Sequence, residues 1–273
     1  MCIFSNKKTA IPFGLNKLGR KLLLPLFIIG IYACSDNGGK QTGEVRLAEE
    51  SVRAHTTQEE EEGWVFLFDG EDTSRWRGAN AATFPERGWT ASDGLLTIHA
   101  SAGRQEGWGG DIVTKDTYSN FEFSLEFRLT EGANSGIKYY VVEDAYEEGA
   151  ALGLEYQLLD DQRHPDAKQG REGNRTLSSL YDLIPAANDK PVNPPGQWNH
   201  ARIVAKDNKT EHWLNGEKVL EYERGSETFR ELVARSKYSR YEAFGEAKEG
   251  HILLQDHGDE VSFRNIKIRE FTN

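Results

Sequence analysis

The sequence predicts an all-β domain, a sandwich of two antiparallel sheets of jelly-roll type with one short helix. Three observations carry this. From Gly63 onward, short runs of alternating apolar and polar residues are separated by turn residues. A single segment has helical spacing, and no strand-helix-strand alternation occurs, which argues against a parallel sheet.

Taken in order, Trp64 to Phe68 is a strand closed by Asp69-Gly70. Gly88 to Ala91 and Leu95 to His99 flank Ser92-Asp93-Gly94, a hairpin signature. In Phe121 to Leu129, Phe121, Phe123, Leu125, Phe127 and Leu129 alternate with polar residues, so one face packs inward and the other is wet. Gly136 to Val142, Leu154 to Leu159 and Asn199 to Ala205 follow. Glu211 to Leu214 and Glu217 to Leu220 are joined by Asn215-Gly216, the strongest short hairpin signal in the chain. Between Glu227 and Tyr238, Phe229, Leu232 and Val233 recur at helical spacing. His251 to Gln255 and Val261 to Ile268 complete the strands.

Residues 1–33 read as a leader. Lys7, Lys8, Lys17, Arg20 and Lys21 precede the apolar run Leu22 to Tyr32 with no acidic residue among them, and that run is too short for an ordinary spanning helix. It ends Ile31-Tyr32-Ala33-Cys34-Ser35, which resembles a bacterial lipobox, so Cys34 is the expected lipidated first residue of an exported, membrane-anchored protein of the periplasm or cell surface. The only other cysteine is Cys2, so the folded part contains none and no disulfide framework is available to it. Residues 34–62 have the composition of a disordered tether, and 63–273 has the length of one domain with one core.

The formal net charge is −11 with the cationic leader included. So acidic a surface repels phosphate backbones and argues against a nucleic-acid partner, while neutral sugars and metal ions stay compatible. No glycine fingerprint for a dinucleotide follows a strand, so no nucleotide cofactor is expected.

The densest functional stretch runs from Leu154 to Leu183. Period two puts Glu155 and Gln157 on one strand face and Tyr156 and Leu158 on the other. Asp160, Asp161, Arg163, His164 and Asp166 follow on a loop that Pro165 keeps out of the sheet. The spacing Glu-x-Gln-x-x-Asp at Glu155, Gln157 and Asp160 departs at two of three positions from the Glu-x-Asp-x-x-Glu of jelly-roll glycosidases. Retaining hydrolysis needs two carboxyls roughly 5 Å apart, and Gln157 cannot ionise. In His164-Pro165-Asp166, the carboxylate is spaced to hold the imidazole's tautomer, or both to bind a divalent metal. Gln255 to Asp259, containing His257, is a second polar cluster, and Asn134-Ser135-Gly136 is a third with the look of a turn. Trp108 among glycines offers a flat ring to a sugar or to the core.

Together, Gly-Trp-Val-Phe-Leu-Phe-Asp-Gly at 63–70, Asn-Ser-Gly-Ile at 134–137, Glu-Tyr-Gln-Leu-Leu-Asp-Asp at 155–161, Ser-Leu-Tyr-Asp at 179–182, Leu-Gln-Asp-His-Gly at 254–258 and Val-Ser-Phe-Arg-Asn-Ile-Lys-Ile at 261–268 resemble the 3-keto-disaccharide hydrolase family. The resemblance implies a concanavalin A-like jelly roll, export, and cleavage of 3-keto-glycosides by elimination and hydration or net hydrolysis. It implies a separate sugar 3-oxidase or dehydrogenase upstream. Assigning roles for that chemistry, we expect His164 to be the base or a metal ligand with Asp166 orienting it. Glu155 becomes a second acid, base or ligand, and Lys138 and Arg163 become enolate stabilisers. Gln157, Asn134, Asp160, His257 and Trp108 become substrate contacts. The alternative is a non-catalytic carbohydrate-binding lipoprotein.

Overall fold

A computed structural model describes residues 59–101 and 108–271. Its strands are β1 (Val65–Phe68), β2 (Trp76–Gly78), β3 (Trp89–Ser92), β4 (Leu95–Ile98), β5 (Ile112–Thr114), β6 (Phe121–Leu129), β7 (Asn134–Glu143), β8 (Ala151–Leu159), β9 (Asn199–Lys206), β10 (Lys209–Leu214), β11 (Glu217–Glu223), β12 (His251–Leu254) and β13 (Val261–Glu270). The helix α1 is Glu227–Ala234, and 3-10 turns occupy Pro165–Lys168 and Lys237–Arg240.

One sheet has the order β11-β10-β9-β6-β13-β4-β3 with β1 paired to β13, and the other has the order β2-β5-β12-β7-β8. All pairings are antiparallel. This is the expected jelly-roll sandwich. Phe121, Phe123, Leu125 and Phe127 of the larger sheet meet Ile137, Tyr139, Leu154, Tyr156 and Leu158 of the smaller one in a single buried core. Each such side chain contributes about 1.5–3 kcal/mol when taken out of water.

Four local expectations change. β2 and β5 were not expected, because strands of three residues are too short to show a period. Asn134, Ser135 and Gly136 are not a turn but the first residues of β7, and Gly136 has no positive φ. The helix stops at Ala234, short of Tyr238, because Ser236 turns the chain and its hydroxyl accepts from the Tyr238 N–H. Both faces of β8 are buried, as are Glu122 and Ser124 on the outer side of β6. Of the expected tether, residues 59–62 are described. Glu59 to Glu61 are helical and Glu59 pairs with Lys267. The leader and Cys34 lie outside the described residues. Among those described, no helix is long and apolar enough to cross a membrane.

Among the described residues one imidazole is fully buried in the core. His212 is fully buried, its Nδ1–H donates to Ser178 O at 2.9 Å, and its Nε2 accepts from Tyr139 Oη at 2.8 Å. Burial lowers its pKa from 6.5 to about 4. The unfolded chain therefore binds a proton before the folded one does, and stability falls as pH drops through that window. Urea unfolding near pH 7 and near pH 4 should differ by on the order of 3 kcal/mol less in a His212→Gln chain than in the natural one.

Candidate active site

The outer face of the smaller sheet carries the charge. In the β7–β8 ladder Lys138 lies opposite Glu155 and Gly136 opposite Gln157, so the Lys138 and Glu155 side chains rise next to each other from adjacent strands. Gly136 leaves an opening between them that the carboxylate fills. A Cβ at position 136 would stand 2.6 Å from Glu155 Oε1 and 3.1 Å from its Cδ. With its carboxamide nitrogen toward them, Gln157 donates to Ser135 O at 3.0 Å and to Glu155 Oε1 at 3.2 Å.

Glu155 is 5% exposed. Burial raises its pKa, opposed by the ammonium groups of Lys138 and Lys237 and by His257, while Asp111 adds to the rise. For Lys138, burial acts downward, but Asp111, whose Oδ2 lies 3.4 Å from Nζ, and Glu155 outweigh it and hold the ammonium above its ordinary value. Lys237 moves the other way: desolvation lowers it against the pull of Glu155. Although much of the Lys237 side chain is exposed, its Nζ lies over the rings of Tyr181 and Tyr238, at 4.1 and 5.0 Å from their centroids. Glu155 thus faces a permanent cation and a second, more easily deprotonated one.

Two segments cover this face. Residues 178–181 run along the free edge of β8, with Ser178 N–H donating to Gln157 O and Tyr181 N–H to Glu155 O. The turn Lys237–Arg240 brings in Lys237 and the buried Tyr238, whose ring stacks on Phe244 at 3.9 Å. Arg175 joins the covering pieces. Its Nε donates to Asp182 Oδ1 at 2.8 Å and its Nη1 to Asp166 Oδ1 at 2.9 Å. Asp182 accepts the Lys237 N–H at 2.8 Å, and Asp166 accepts the Tyr181 hydroxyl at 2.8 Å. A cleft of about 630 Å³ remains above the face, with Lys138, Glu155, Lys237, Tyr238 and Gln255 in its lining.

Of the residues singled out by sequence, Glu155 and Lys138 line this cleft and Gln157 backs Glu155. His257 lies on the loop after β12, where its charge is felt by Glu155, and its ring stands 6.3 Å from that of His164. Asn134 does not line the cleft, and its buried Oδ1 accepts no hydrogen bond from any described residue. Asp166 does not orient His164 through its carboxylate, which Arg175 and Tyr181 occupy. Its main-chain N–H does so instead, donating to His164 Nδ1 at 3.2 Å. The neutral ring then carries its proton on Nε2.

Asp160 and Arg163 stand apart from the cleft. Burial works against the Asp160 carboxylate, but the N–H groups of Gly132 and Gln162 and the Arg163 guanidinium lower its pKa overall. Arg163 spans Asp160 and Glu131, so the pair closes its own loop. Trp108 also lies outside the lining. Arg87 covers its ring at 5.8 Å, and the two glycine N–H groups after it donate to Asp256.

Of the two residues named as metal ligands, Glu155 faces two ammonium groups and His164 accepts the Asp166 N–H on Nδ1. Among the described residues no group of three or more His, Cys, Asp or Glu is placed to hold a metal ion. Lys237, Tyr238, Arg175 and Asp111 were missed by sequence reasoning. The one available signal was Ser236, where the helical spacing stops. Tyr181 and Asp182 sat unassigned in the Ser-Leu-Tyr-Asp motif.

A jelly roll with an ionised, aromatic-walled cleft on one sheet has the build of a carbohydrate-active enzyme. Residues 63–269 match the family described as 3-keto-alpha-glucoside-1,2-lyase-like domain. The chain is 37% identical over 229 residues to a 3-keto-disaccharide hydrolase of Bacteroides thetaiotaomicron, spanning 76% of this chain and 78% of that one. Two solved structures, each described as a putative glycosyl hydrolase from Parabacteroides distasonis, share the fold. One has a TM-score of 0.68 at 31% identity over 79% of this chain and 97% of its own. The other has a TM-score of 0.57 at 29% identity over 76% and 99%. The chain belongs to the 3-keto-alpha-glucoside-1,2-lyase-like family, and it is a glycoside-cleaving enzyme.

The opening at Gly136 gives a direct check. In Gly136→Ala the extended backbone is unstrained but the new methyl displaces the Glu155 carboxylate. If Glu155 reacts, turnover should fall by ~10²-fold, the cost of misplacing a reacting group by about 1 Å, while the melting temperature changes little. A drop in melting temperature without loss of turnover would contradict the placement of Glu155.

Proposed function

We propose that the chain cleaves glycosides already oxidised to a ketone at C3, by elimination followed by hydration. The observation that carries this reading is Glu155, a desolvated carboxylate of raised proton affinity beside two ammonium groups. The printed names of the family and of the Bacteroides relative support the substrate class.

A C3 ketone acidifies the proton on C2. Glu155 takes that proton, and the electron pair it leaves forms an enolate whose oxygen charge is met by Lys138 and Lys237. Collapse of the enolate expels the C1 oxygen, which leaves with a proton. Water then adds its hydroxyl to C1, and a proton returns to C2, so the sum is hydrolysis and Glu155 is regenerated. The buried phenol of Tyr238, which lines the cleft and is held protonated by burial and by the Glu155 charge, is the donor for the departing oxygen. The base role expected of His164 passes to Glu155, since the neutral imidazole donates from Nε2. The ketone must come from a separate sugar oxidase or dehydrogenase, because nothing in this reaction oxidises C3.

Incubation in deuterated water should place deuterium at C2 of a cleaved 3-keto-glucoside and leave the unoxidised parent intact. Glu155→Gln should lower kcat by ~10²–10⁴-fold. The rate should rise with pH through a value above the ordinary carboxylate pKa, as Glu155 loses its proton. It should fall again below the ordinary lysine pKa, as Lys237 loses its own. Cleavage of the unoxidised glycoside at a similar rate would defeat the proposal.

We also propose that the protein is exported and held at a membrane by lipid on Cys34. The cationic leader, its apolar run and the motif ending at Cys34 support this. A Cys34→Ser chain expressed in a Gram-negative host should move from the detergent-extracted membrane fraction to the soluble one. Retention in the membrane fraction would count against the anchor.

A further inference from the structure

Two ammonium groups act on Glu155, yet among the described residues neither forms an ion pair with it. Lys237 sits over the rings of Tyr181 and Tyr238. Lys138, the direct ladder partner of Glu155, pairs instead with Asp111, whose Oδ2 lies 3.4 Å from its Nζ. A buried carboxylate beside an ammonium on a flexible stem gains by closing on it, so something holds this ammonium back.

Asp111 immediately precedes β5 and is fixed on two sides. Its Oδ1 accepts the Asp256 N–H at 2.9 Å, and its main-chain oxygen accepts the Ala79 N–H at 2.8 Å. Asp256 is itself buried and anchored: its carboxylate accepts from the N–H groups of Gly109, Gly110 and Gly258 at 2.7, 3.1 and 2.9 Å. One oxygen of Asp111 is thus bound to main chain while the other faces Lys138. The two side chains are 24% and 11% exposed, so the pair is sheltered and is not a surface contact of the kind that contributes little. Of the charges around the Lys138 ammonium, Asp111 strengthens it most.

We propose that Asp111 is a positioning residue that holds the Lys138 ammonium off Glu155. The inference rests on the roles given to Glu155 and Lys138 and deepens them. An ammonium has three N–H donors, and one directed at Asp111 leaves the others for an oxygen in the cleft that Lys138 lines. The carboxylate meanwhile keeps its lone pairs for a proton. Without Asp111 the ammonium closes on Glu155, and the base and the cation are spent on each other.

Asp111→Asn is the informative change, because an amide oxygen still accepts the Asp256 N–H while the charge that holds Lys138 is gone. On a 3-keto-glucoside, kcat should fall by ~10–10²-fold with a smaller change in KM. In a Lys138→Met chain the same change should cost nothing further. An unchanged kcat, or an equal loss with and without Lys138, overturns the inference and leaves the reading of Glu155 standing. A second arm needs no turnover. Asp111→Asn should leave the melting temperature of the natural chain nearly unchanged, since Lys138 pairs anew with Glu155. In a Glu155→Gln chain it should lower it by roughly 5 °C or more, since the ammonium is left buried without a carboxylate. Equal shifts in the two chains also overturn the inference. If the natural chain cleaves no keto-glucoside, the reading of Glu155 fails, and the melting temperatures alone decide whether Asp111 holds Lys138.

Discussion

The arrangement of this protein depends on keeping one carboxylate, Glu155, out of water on the outer face of a sheet. A buried carboxylate costs several kcal/mol unless charges and donors meet it. Here Lys138 meets it from the neighbouring strand, Gln157 from two residues along, and Lys237 from a turn far away in sequence. The compensation is partial, so proton affinity rises. Gly136 serves the same end, since any side chain there would occupy the volume the carboxylate uses.

Burial of this face also explains the covering layer. An outer sheet face is ordinarily wet, and Glu155 is shielded by residues 178–181 along the edge of β8 and by the Lys237–Arg240 turn. Each of those segments is short and irregular, and neither has a core of its own. Arg175 links them by binding Asp182, which holds the Lys237 main chain, and Asp166, which holds the Tyr181 hydroxyl and begins the turn beside His164. Segments from three loops are thereby referred to one guanidinium, whose planar fork fits two carboxylates at once.

The sandwich was legible from the sequence because its long strands alternate cleanly. Phe121 to Leu129 placed five apolar residues on one face, and all five are buried. The same period put Glu155 and Gln157 together, and the structure keeps them together. It gave no hint that they would be covered, because burial of that face comes from segments without any period. Lys237 and Tyr238 sit just past the helix end, and strand or helix spacing says nothing about where such a turn points. Asp160 and Arg163 were singled out for their density of charge, and that density serves the loop itself. A loop that leaves a strand sharply needs acceptors for nearby N–H groups, and the Asp160 carboxylate accepts from Gln162 in its own loop and from Gly132 in the turn before β7.

The chemistry follows from what the face lacks as much as from what it holds. Glycosidases of the paired-carboxylate kind use a second acid roughly 5 Å or more from the first. On this face the position that spacing would give to it is Gln157, and Lys138 and Lys237 act on Glu155 more strongly than the carboxylate of Asp111 does. One base among ammonium groups is poorly suited to an oxocarbenium transition state, because the surrounding positive charge repels the positive charge that develops on the sugar ring. It is well suited to a transition state in which negative charge develops, and proton abstraction beside a ketone is such a reaction. The sign of the charge around Glu155 therefore supports the proposed elimination over direct displacement.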